Sequence, residues 1–227
     1  MLICYTLNVE SKYSHIYNRG VDKRNIFSSD ADRFRYLDTV RLVRLQKSPR
    51  LSVHLDQIRS GTLEGHEVSR IEQRYGPKIV EILAFALMPN HFHFLIKELE
   101  AGGIPKFAQR LGNSYTRFFN TKYKRKGRLF ESTYQQVAVD TDEQLMHLSR
   151  YIHLNPVMAK RFKIDVNALI SYQWTSCPAY MGRPSDICVP DEIISMFNSR
   201  ESYKTFLKQE AEARISLSPK LVIDLEE

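Results

Sequence analysis

The alternation of apolar and polar residues predicts the strands of this chain. Residues 13–20 (YSHIYNRG) and 91–97 (HFHFLIK) alternate over strand length, and residues 133–139 (TYQQVAV) are predicted to form a further strand. Residues 79–87 (IVEILAFAL) form an apolar run of strand length, and Pro89 then interrupts the chain because proline cannot donate to a strand ladder. The pattern predicts three or four strands, according to whether the segment around Pro89 forms one bent strand or two.

Helical periodicity separates these strands. Residues 31–45 carry apolar side chains on one helical face: Phe34, Leu37, Val40 and Val43. The candidates for the N-cap of this helix are Ser28, Ser29 and Asp30. Residues 104–120 and 191–215 are predicted to form two further helices.

A fourth helix is predicted over residues 142–155. Thr141 and Gln144 form a capping-box pattern at its start. We expect it to end at Asn155, because the α conformation is disfavoured for the residue before Pro156.

The order of these elements predicts an α+β fold, in which an antiparallel sheet carries helices on one face or both. We divide the chain into an N-terminal extension (1–12), a main domain (13–160) and a C-terminal extension (161–227) that is loop-rich and then helical. The polar stretch at about 47–78 shows no sustained period and is interpreted as an insertion in the main domain.

Composition narrows the function classes. The 227 residues carry a net charge of +7, and residues 104–130 hold eight Lys or Arg and no acid, which favours a nucleic-acid partner. Three scattered cysteines argue against a disulfide framework and against a thiolate zinc site. The longest apolar run is far shorter than the ~20 residues that span a bilayer. We therefore expect a cytoplasmic, nucleoid-associated protein without a membrane partner.

His91 and His93 are the first candidates for chemistry. Their spacing on a strand places both imidazoles on one face, with Cα atoms ~6.5–7 Å apart, where two side chains can share one metal ion. Phe92 between them points to the opposite face and can anchor the strand in the core. Two histidines on a half-exposed strand face are the alternative interpretation.

The helix over residues 142–155 supplies the second candidate. His147, Tyr151 and Asn155 are spaced four apart and lie on one face, so that the tyrosine has an imidazole one turn before it and an amide one turn after it. Leu145, Leu148 and Ile152 form another face suited to packing on the sheet. An ordinary amphipathic tyrosine is the alternative.

The basic segment is interleaved with aromatic residues: Phe107, Tyr115, Phe118, Phe119 and Tyr123. Cations follow a phosphate backbone, and aromatic rings can stack on unpaired bases. The alternative is a solvated helix face whose aromatic rings belong to the core, and we favour it for Phe107, Phe118 and Phe119.

Several ordered motifs resemble the single-tyrosine HUH transposases, and among them the REP-associated tyrosine transposases of bacteria. MPNHFHFLIK resembles their HUH motif, and YIHLNPV resembles the segment that carries their nucleophilic tyrosine. YNRGVDKRNIF, KGRLFESTYQQVAV and YQWTSCPAYMG also resemble this group, in the same order. The resemblance covers roughly residues 13–182 and lapses in the long stretch at 47–78.

The resemblance implies a ferredoxin-like fold with the HUH strand central and the tyrosine on a helix beside it. It implies Mg²⁺ or Mn²⁺, with His91 and His93 as metal ligands, Asn155 completing the metal site and Tyr151 as the nucleophile. It also implies a DNA partner that is single-stranded or a hairpin. The predicted DNA contacts are all basic: Arg19, Lys106, Arg110, Arg117, Lys122, Lys124, Arg125, Lys126 and Arg128.

These residues predict metal-dependent cleavage and rejoining of single-stranded DNA through a 5′-phosphotyrosine at hairpin-associated repeats. A tyrosine with a pKa of ~10 is a poor nucleophile near neutral pH, and a divalent cation compensates by activating the phosphate. The covalent link keeps the bond energy for resealing, so no ATP is required.

Two other functions stay open. One is an HUH relaxase or replication initiator, and the other is a ferredoxin-like module that binds nucleic acid without catalysis. The sequence also leaves open whether His147 orients or deprotonates Tyr151, whether His15 supports or joins the metal ligands, and whether the protein is a monomer or a homodimer.

Overall fold

The computed structural model describes residues 12–47, 73–158 and 166–217. The strands are β1 (Tyr13–Arg19), β2 (Val80–Leu87), β3 (His91–Glu98) and β4 (Gln135–Val139). The long helices are α1 (Asp30–Val43), α2 (Gly103–Lys122) and α3 (Asp142–Met158). The C-terminal part adds α4 (Val166–Leu169), α5 (Cys177–Tyr180), α6 (Asp191–Ile194) and α7 (Arg200–Leu217).

The four strands form one sheet in the order β2-β3-β1-β4, and every neighbouring pair is antiparallel. Along the chain the elements run β1-α1-β2-β3-α2-β4, which with this strand order is the ferredoxin-like arrangement. The predicted α+β class is therefore confirmed. The strand that carries both histidines, β3, lies inside the sheet between β2 and β1.

One face of the sheet is covered by α1 and α2. Phe94 on β3 is fully buried there, and its ring centroid lies 6.2 Å from that of Tyr36 on α1 and 6.2 Å from that of Phe107 on α2. Ile16 on β1 is also buried, since it pairs directly with Phe94 across the sheet. The alternation of the strands thus directs aromatic and aliphatic residues into one continuous core.

The first helix begins with a capping box between Ser29 and Asp32. Asp32 is fully buried and accepts hydrogen bonds from Lys122 and Tyr123 at the end of α2, so it joins the two helices. The prediction of a single apolar face on α1 is wrong at Phe34, which is 51% exposed. Its ring rests edge-on against Trp174, which is itself buried.

The other face of the sheet receives α3, which packs on β2 and β3. The predicted end of this helix at Asn155 is wrong, because the helix continues through Pro156 to Met158. Proline removes only its own N–H bond in the last turn, where few helical bonds remain to be lost. The Asn155 side chain also donates to the carbonyl of Tyr151 at 3.0 Å, which reinforces that turn.

The C-terminal segment covers the outer edge of β2. The backbone N–H of Phe85 donates to Ser176 Oγ, the carbonyl of Leu83 accepts from Tyr180, and the N–H of Leu87 donates to the carbonyl of Trp174. An open strand edge exposes unpaired backbone groups, and this segment satisfies them. It therefore belongs to the same packed unit as the sheet.

The single helix predicted over residues 191–215 is wrong. Two helices, α6 and α7, are separated by residues 195–199. Ser199 accepts a hydrogen bond from the N–H of Ser202 and so starts α7 afresh, while Phe197 packs on Tyr203 with ring centroids 5.1 Å apart. The turn thus packs the partly buried ring of Phe197 on Tyr203.

Two of the predicted segments lie largely outside the described residues, namely the N-terminal extension at 1–12 and the insertion at about 47–78. Within the described part of the chain, no helix combines the length and the apolar character needed to cross a membrane.

Candidate active site

The face of the sheet beneath α3 carries the two histidines of β3. The imidazole centroids of His91 and His93 lie 5.0 Å apart, as their two-residue spacing predicts. Across the sheet, Arg19 pairs with His91 and Tyr17 pairs with His93. Directly paired residues of antiparallel strands share a face, so β1 adds an arginine and a second tyrosine to this surface.

His15 on β1 joins the same cluster. Its Nε2 lies 2.9 Å from Nδ1 of His93, within hydrogen-bonding distance, and the two rings are stacked. This bond leaves Nε2 of His93 as the nitrogen that can meet a ligand. The alternation of residues 13–19 places His15 and Tyr17 on one face, but only the register of β1 against β3 shows which histidine they approach.

Tyr151 reaches this cluster from α3. Its ring is partly buried and stands edge-on to two imidazoles, with centroids 5.7 Å from His93 and 6.2 Å from His15. One turn later Asn155 is hydrogen-bonded to the His91 side chain. The helix and the strand, which are 60 residues apart in sequence at His91 and Tyr151, thus bring together the four residues singled out from the sequence.

Burial keeps these imidazoles neutral. Desolvation lowers the pKa of His91 to about 4; the hydrogen bond with Asn155 opposes this shift and the charge of Arg19 adds to it. Desolvation also lowers the pKa of His15 to about 4, and it lowers that of His93 well below its usual value, helped by the two neighbouring histidines. Neutral imidazoles retain the lone pair that a metal ligand needs.

The side chains at this site include donors that suit a divalent cation. In the described ranges, no three His, Cys, Asp or Glu side chains converge so as to hold a metal ion. The third donor that fits is the Asn155 side-chain oxygen, because its nitrogen donates to the Tyr151 carbonyl while the amide also contacts His91. Two imidazoles and one amide oxygen are all neutral donors, suited to Mn²⁺ and, with added water, to Mg²⁺.

His147 lies on the exposed side of α3. Its Nδ1 is 2.7 Å from the guanidinium of Arg150, its Nε2 is 3.9 Å from Glu143, and its ring packs edge-on against Phe206. These partners belong to α3 and α7 rather than to the sheet. His147 therefore points away from the imidazoles that surround Tyr151.

The basic residues of α2 lie on the far side of the sheet from the histidines, because α2 packs on the Phe94 face. Several are also engaged in holding the fold. Arg110 donates to the carbonyls of Leu45 and Gln46 after α1, Lys106 pairs with Glu100, and Lys122 pairs with Asp32. Arg117 is exposed on the same helix.

The last residues of the loop after α2 contact the end of β1 and the residues that follow it. The carbonyl of Leu129 accepts from Val21, and Phe130 bridges to Gly20, directly after Arg19. Arg19 pairs with Glu131 at 3.1 Å. Arg125 bonds Asn120 and lies over the ring of Phe119. The remaining basic residues of this loop are exposed: Lys124, Lys126 and Arg128.

Most of the aromatic residues in the basic segment are core. Phe107 and Tyr115 are fully buried and Phe119 is 4% exposed, so none of them presents a ring to a base. Tyr115 also donates to the carbonyl of Ile26, which fixes it inside the protein. The interpretation of Phe107 and Phe119 as core is confirmed, and the use of Tyr115 as a stacking ring is wrong.

A family model matches part of the chain. Residues 59–155 match the family model described as "Transposase IS200 like", and the match contains β2, β3, α2, β4 and α3 as far as Asn155. The match covers fewer than half of the 227 residues, so the chain is similar to this family over its central part. None of the curated proteins compared with the chain matches it.

Among solved structures, the chain is similar to that of a REP-associated tyrosine transposase bound to a REP hairpin. The TM-score is 0.46 at 10% sequence identity, and the alignment covers 83% of this chain and 92% of that chain.

Proposed function

We propose that the protein cleaves and rejoins single-stranded DNA beside a hairpin, through a covalent 5′-phosphotyrosine on Tyr151. The observation that carries this proposal is the position of the Tyr151 ring, edge-on to His93 with centroids 5.7 Å apart and beside a pair of neutral imidazoles. The match of residues 59–155 to the IS200-like transposase model supports the reaction class. The resemblance of the YIHLNPV and HUH motifs supports the assignment of roles.

The reaction exchanges one phosphodiester bond for another. The Tyr151 oxygen attacks phosphorus, the bond from phosphorus to the 3′ oxygen breaks, and the departing 3′ oxygen takes up a proton while the phenol loses one. The DNA remains attached through its 5′ phosphate. A 3′-OH can reverse the step at the same phosphorus, which accounts for rejoining without ATP.

The surrounding residues orient this exchange. His91, His93 and Asn155 supply neutral donors for Mg²⁺ or Mn²⁺, and the bond from His15 holds the ring of His93 in place. When bound, the divalent cation would polarise the scissile phosphate and neutralise the charge that develops on it. Arg19, whose charge already acts on His91, lies where it can bind a phosphate oxygen.

The cations closest to this face define the expected DNA path. The first group is Arg19, at the end of β1, with the exposed Lys124, Lys126 and Arg128 of the loop that joins Gly20 through Phe130. Arg110 and Lys122 are instead held in contacts within the protein. We propose that the first group follows the DNA backbone. Sequence selection by a hairpin and a short flanking tetranucleotide is part of the proposal and comes from the motif resemblance alone.

The decisive experiment uses two tyrosines at nearly equal distance from His93. The ring centroid of Tyr17 lies 5.8 Å from that of His93, against 5.7 Å for Tyr151. Wild type, Tyr151→Phe and Tyr17→Phe are incubated with Mn²⁺ and labelled single-stranded hairpins drawn from the DNA flanking the gene. We expect a denaturation-resistant adduct with wild type and Tyr17→Phe and none with Tyr151→Phe.

Each other outcome has a defined meaning. An adduct with Tyr151→Phe but not with Tyr17→Phe would move the nucleophile to β1. Binding of the hairpins by wild type without any adduct would favour a module that binds nucleic acid without catalysis. Mapping the cleaved phosphate separates the two enzymatic possibilities, because a relaxase or replication initiator cuts within a plasmid origin rather than beside a repeat hairpin.

A further inference from the structure

His153 lies on α3 two residues after Tyr151, but on the opposite side of the helix. It is fully buried, in contact with the C-terminal segment rather than with the histidine cluster. Both of its ring nitrogens are hydrogen-bonded: Nδ1 lies 2.8 Å from Tyr203 Oη on α7, and Nε2 lies 2.7 Å from Ser176 Oγ before α5. A buried imidazole with two partners at these distances is fixed in both position and ring orientation.

The two bonds are part of a longer chain. On one side, Tyr203 Oη lies 3.0 Å from Ser149 Oγ, and that hydroxyl donates to the carbonyl of Met146 at 2.8 Å. On the other side, Ser176 Oγ accepts from the backbone N–H of Phe85 on β2 at 2.8 Å. The chain therefore begins on α3, passes through α7, returns to α3 at His153 and ends on the sheet.

The ends of the chain decide the direction of its protons. Because the short bond from Ser149 to the Met146 carbonyl uses the only proton on Ser149, Tyr203 must donate to Ser149. His153 then donates from Nδ1 to Tyr203, and its Nε2 accepts from Ser176. The reverse order would rest on a longer bond of 3.4 Å from Ser176 to the Phe85 carbonyl. His153 is accordingly neutral, with its proton on Nδ1.

The sheet end of this chain lies next to the candidate site. Phe85 pairs with Phe94 across β2 and β3, and the following residue, Ala86, pairs with His93. The His153 imidazole and the Ser176 hydroxyl therefore connect α3 to β2, the strand next to His93. The family match ends at residue 155, so both partners, Ser176 and Tyr203, lie in the part of the chain beyond it.

We propose that His153 is a positioning residue, which sets Tyr151 and Asn155 against the histidine strand through a directional hydrogen-bond chain from Tyr203 to Phe85. The C-terminal segment then contributes to the geometry of the site through Ser176 and Tyr203. The consequence for catalysis rests on the proposed function, whereas the hydrogen-bond chain and its effect on the Asn155 position do not.

The first test is the tautomer of His153 in the full-length protein. Long-range proton–nitrogen NMR spectra of ¹⁵N-histidine-labelled protein, assigned by comparison with His153→Gln, distinguish a proton on Nδ1 from one on Nε2. The expected result is a neutral ring protonated on Nδ1. A ring protonated on Nε2, or a signal that exchanges freely with solvent, would overturn the proposed chain.

The second test compares two buried hydroxyls. Tyr203→Phe removes the acceptor of His153, whereas Tyr180→Phe removes a matched hydroxyl that donates to the Leu83 carbonyl of β2 at 2.8 Å without joining α3. We expect both variants to lower the unfolding temperature by similar amounts. Only Tyr203→Phe should slow adduct formation at saturating hairpin, by about tenfold per folded molecule, with unchanged hairpin affinity.

Two further variants keep the comparison decisive if Tyr203→Phe folds poorly. Ser176→Ala breaks the chain at its sheet end and should produce the same slow adduct formation. His153→Gln keeps one donor and one acceptor and should retain more of the rate than His153→Leu. Equal rates for the Tyr203 and Tyr180 variants, or no difference between the two His153 variants, would show that the chain stabilises the fold without positioning the tyrosine.

A readout independent of cleavage separates this proposal from the proposed function. Asn155 shares α3 with His153, so Tyr203→Phe should weaken Mn²⁺ binding, measured by electron paramagnetic resonance, more than Tyr180→Phe does. If wild type forms no adduct but this difference and the Nδ1 proton are found, the proposed function fails and the positioning chain stands. If wild type forms the adduct but neither is found, the positioning chain fails.

Discussion

The two faces of the sheet differ in chemistry although they are made from the same strands. The face under α1 and α2 is closed with aliphatic and aromatic side chains around Phe94. The face under α3 instead carries three imidazoles and two tyrosine rings, with His93 at the centre and the other four ring centroids 5.0–5.8 Å from its own. Alternation along β3 produces both surfaces at once.

This difference shows how one strand supplies stability and reactivity separately. The apolar face contributes free energy by excluding water from large side chains. The histidine face bears a cost, since its imidazoles are partly or wholly buried and their pKa values are driven down. That burial is also what keeps them unprotonated at neutral pH. Variants on one face should therefore change the free energy of unfolding, and variants on the other should change the chemistry.

The largest expected effect belongs to the apolar face. Phe94 is fully buried and contacts aromatic rings from two strands and two helices, so Phe94→Ala should lower the free energy of unfolding by about 3–5 kcal/mol. Tyr17→Phe, on the histidine face, should lower it by less than about 1 kcal/mol. Urea titrations measure both. A loss at Tyr17 as large as that at Phe94 would show that the histidine face also carries the fold.

The next effect belongs to the histidine face. His91→Ala should slow adduct formation by about 10²–10³-fold, because it removes a ligand of the cation that would polarise the phosphate. Hairpin affinity should remain close to that of wild type. Phe92→Leu, at the adjacent residue on the opposite face, serves as the control and should change the rate per folded molecule by less than about twofold. Equal loss of rate in both variants would mean that His91 acts only through folding.

Much of this contrast could be predicted from the sequence, and the rest depends on distant contacts. Period-two spacing placed His91 and His93 together, and four-residue spacing placed Tyr151 above Asn155. No local pattern reveals that His15 bonds His93, because that contact depends on the register between two strands 78 residues apart.

Charge counting was a weaker guide for the same physical reason. Eight cations in one segment predict a basic surface, yet Lys122 is paired with a buried carboxylate and Arg110 is hydrogen-bonded to backbone carbonyls directly after α1. Such partners lie far away in sequence and are invisible to composition. Phe34 and Pro156 are local exceptions, since tertiary contacts outweighed their intrinsic preferences.

The pH dependence of stability should sharpen the comparison. In metal-free protein, His15, His91 and His153 have pKa values of about 4, about 4 and about 3, below the ~6.5 of an unfolded chain. Between these values the unfolded state binds protons that the native state does not. The free energy of unfolding should therefore fall as the pH drops from 6.5 towards 4, by up to about 1.4 kcal/mol per pH unit for each histidine.

A matched pair of variants checks the origin of that slope. His15→Gln should reduce the slope by about one histidine's share, whereas Phe94→Leu should shift the whole curve downward without changing its slope. Denaturant titrations at several pH values give the measurement. An unchanged slope in His15→Gln would mean that this imidazole takes up its proton over the same pH range in the native and unfolded states, contrary to its burial.

The smallest expected effects concern the cations on the two sides of the sheet. Arg19 lies at the end of the histidine face and Arg117 is exposed on α2, behind the apolar face. If DNA follows the histidine side, Arg19→Ala should remove one phosphate contact and reduce the slope of log affinity against log salt by about 0.7. Arg117→Ala should leave the slope unchanged.

Lys122→Ala should also leave the slope unchanged but lower the unfolding temperature. Burial would raise the pKa of Asp32, and the hydrogen bonds that this carboxylate accepts from Lys122, Tyr123 and the Ser28 backbone now hold its pKa low. A salt dependence of the affinity that responds to Arg117 and not to Arg19 would place the DNA on the side of α1 and α2, too far from Tyr151 for the proposed reaction.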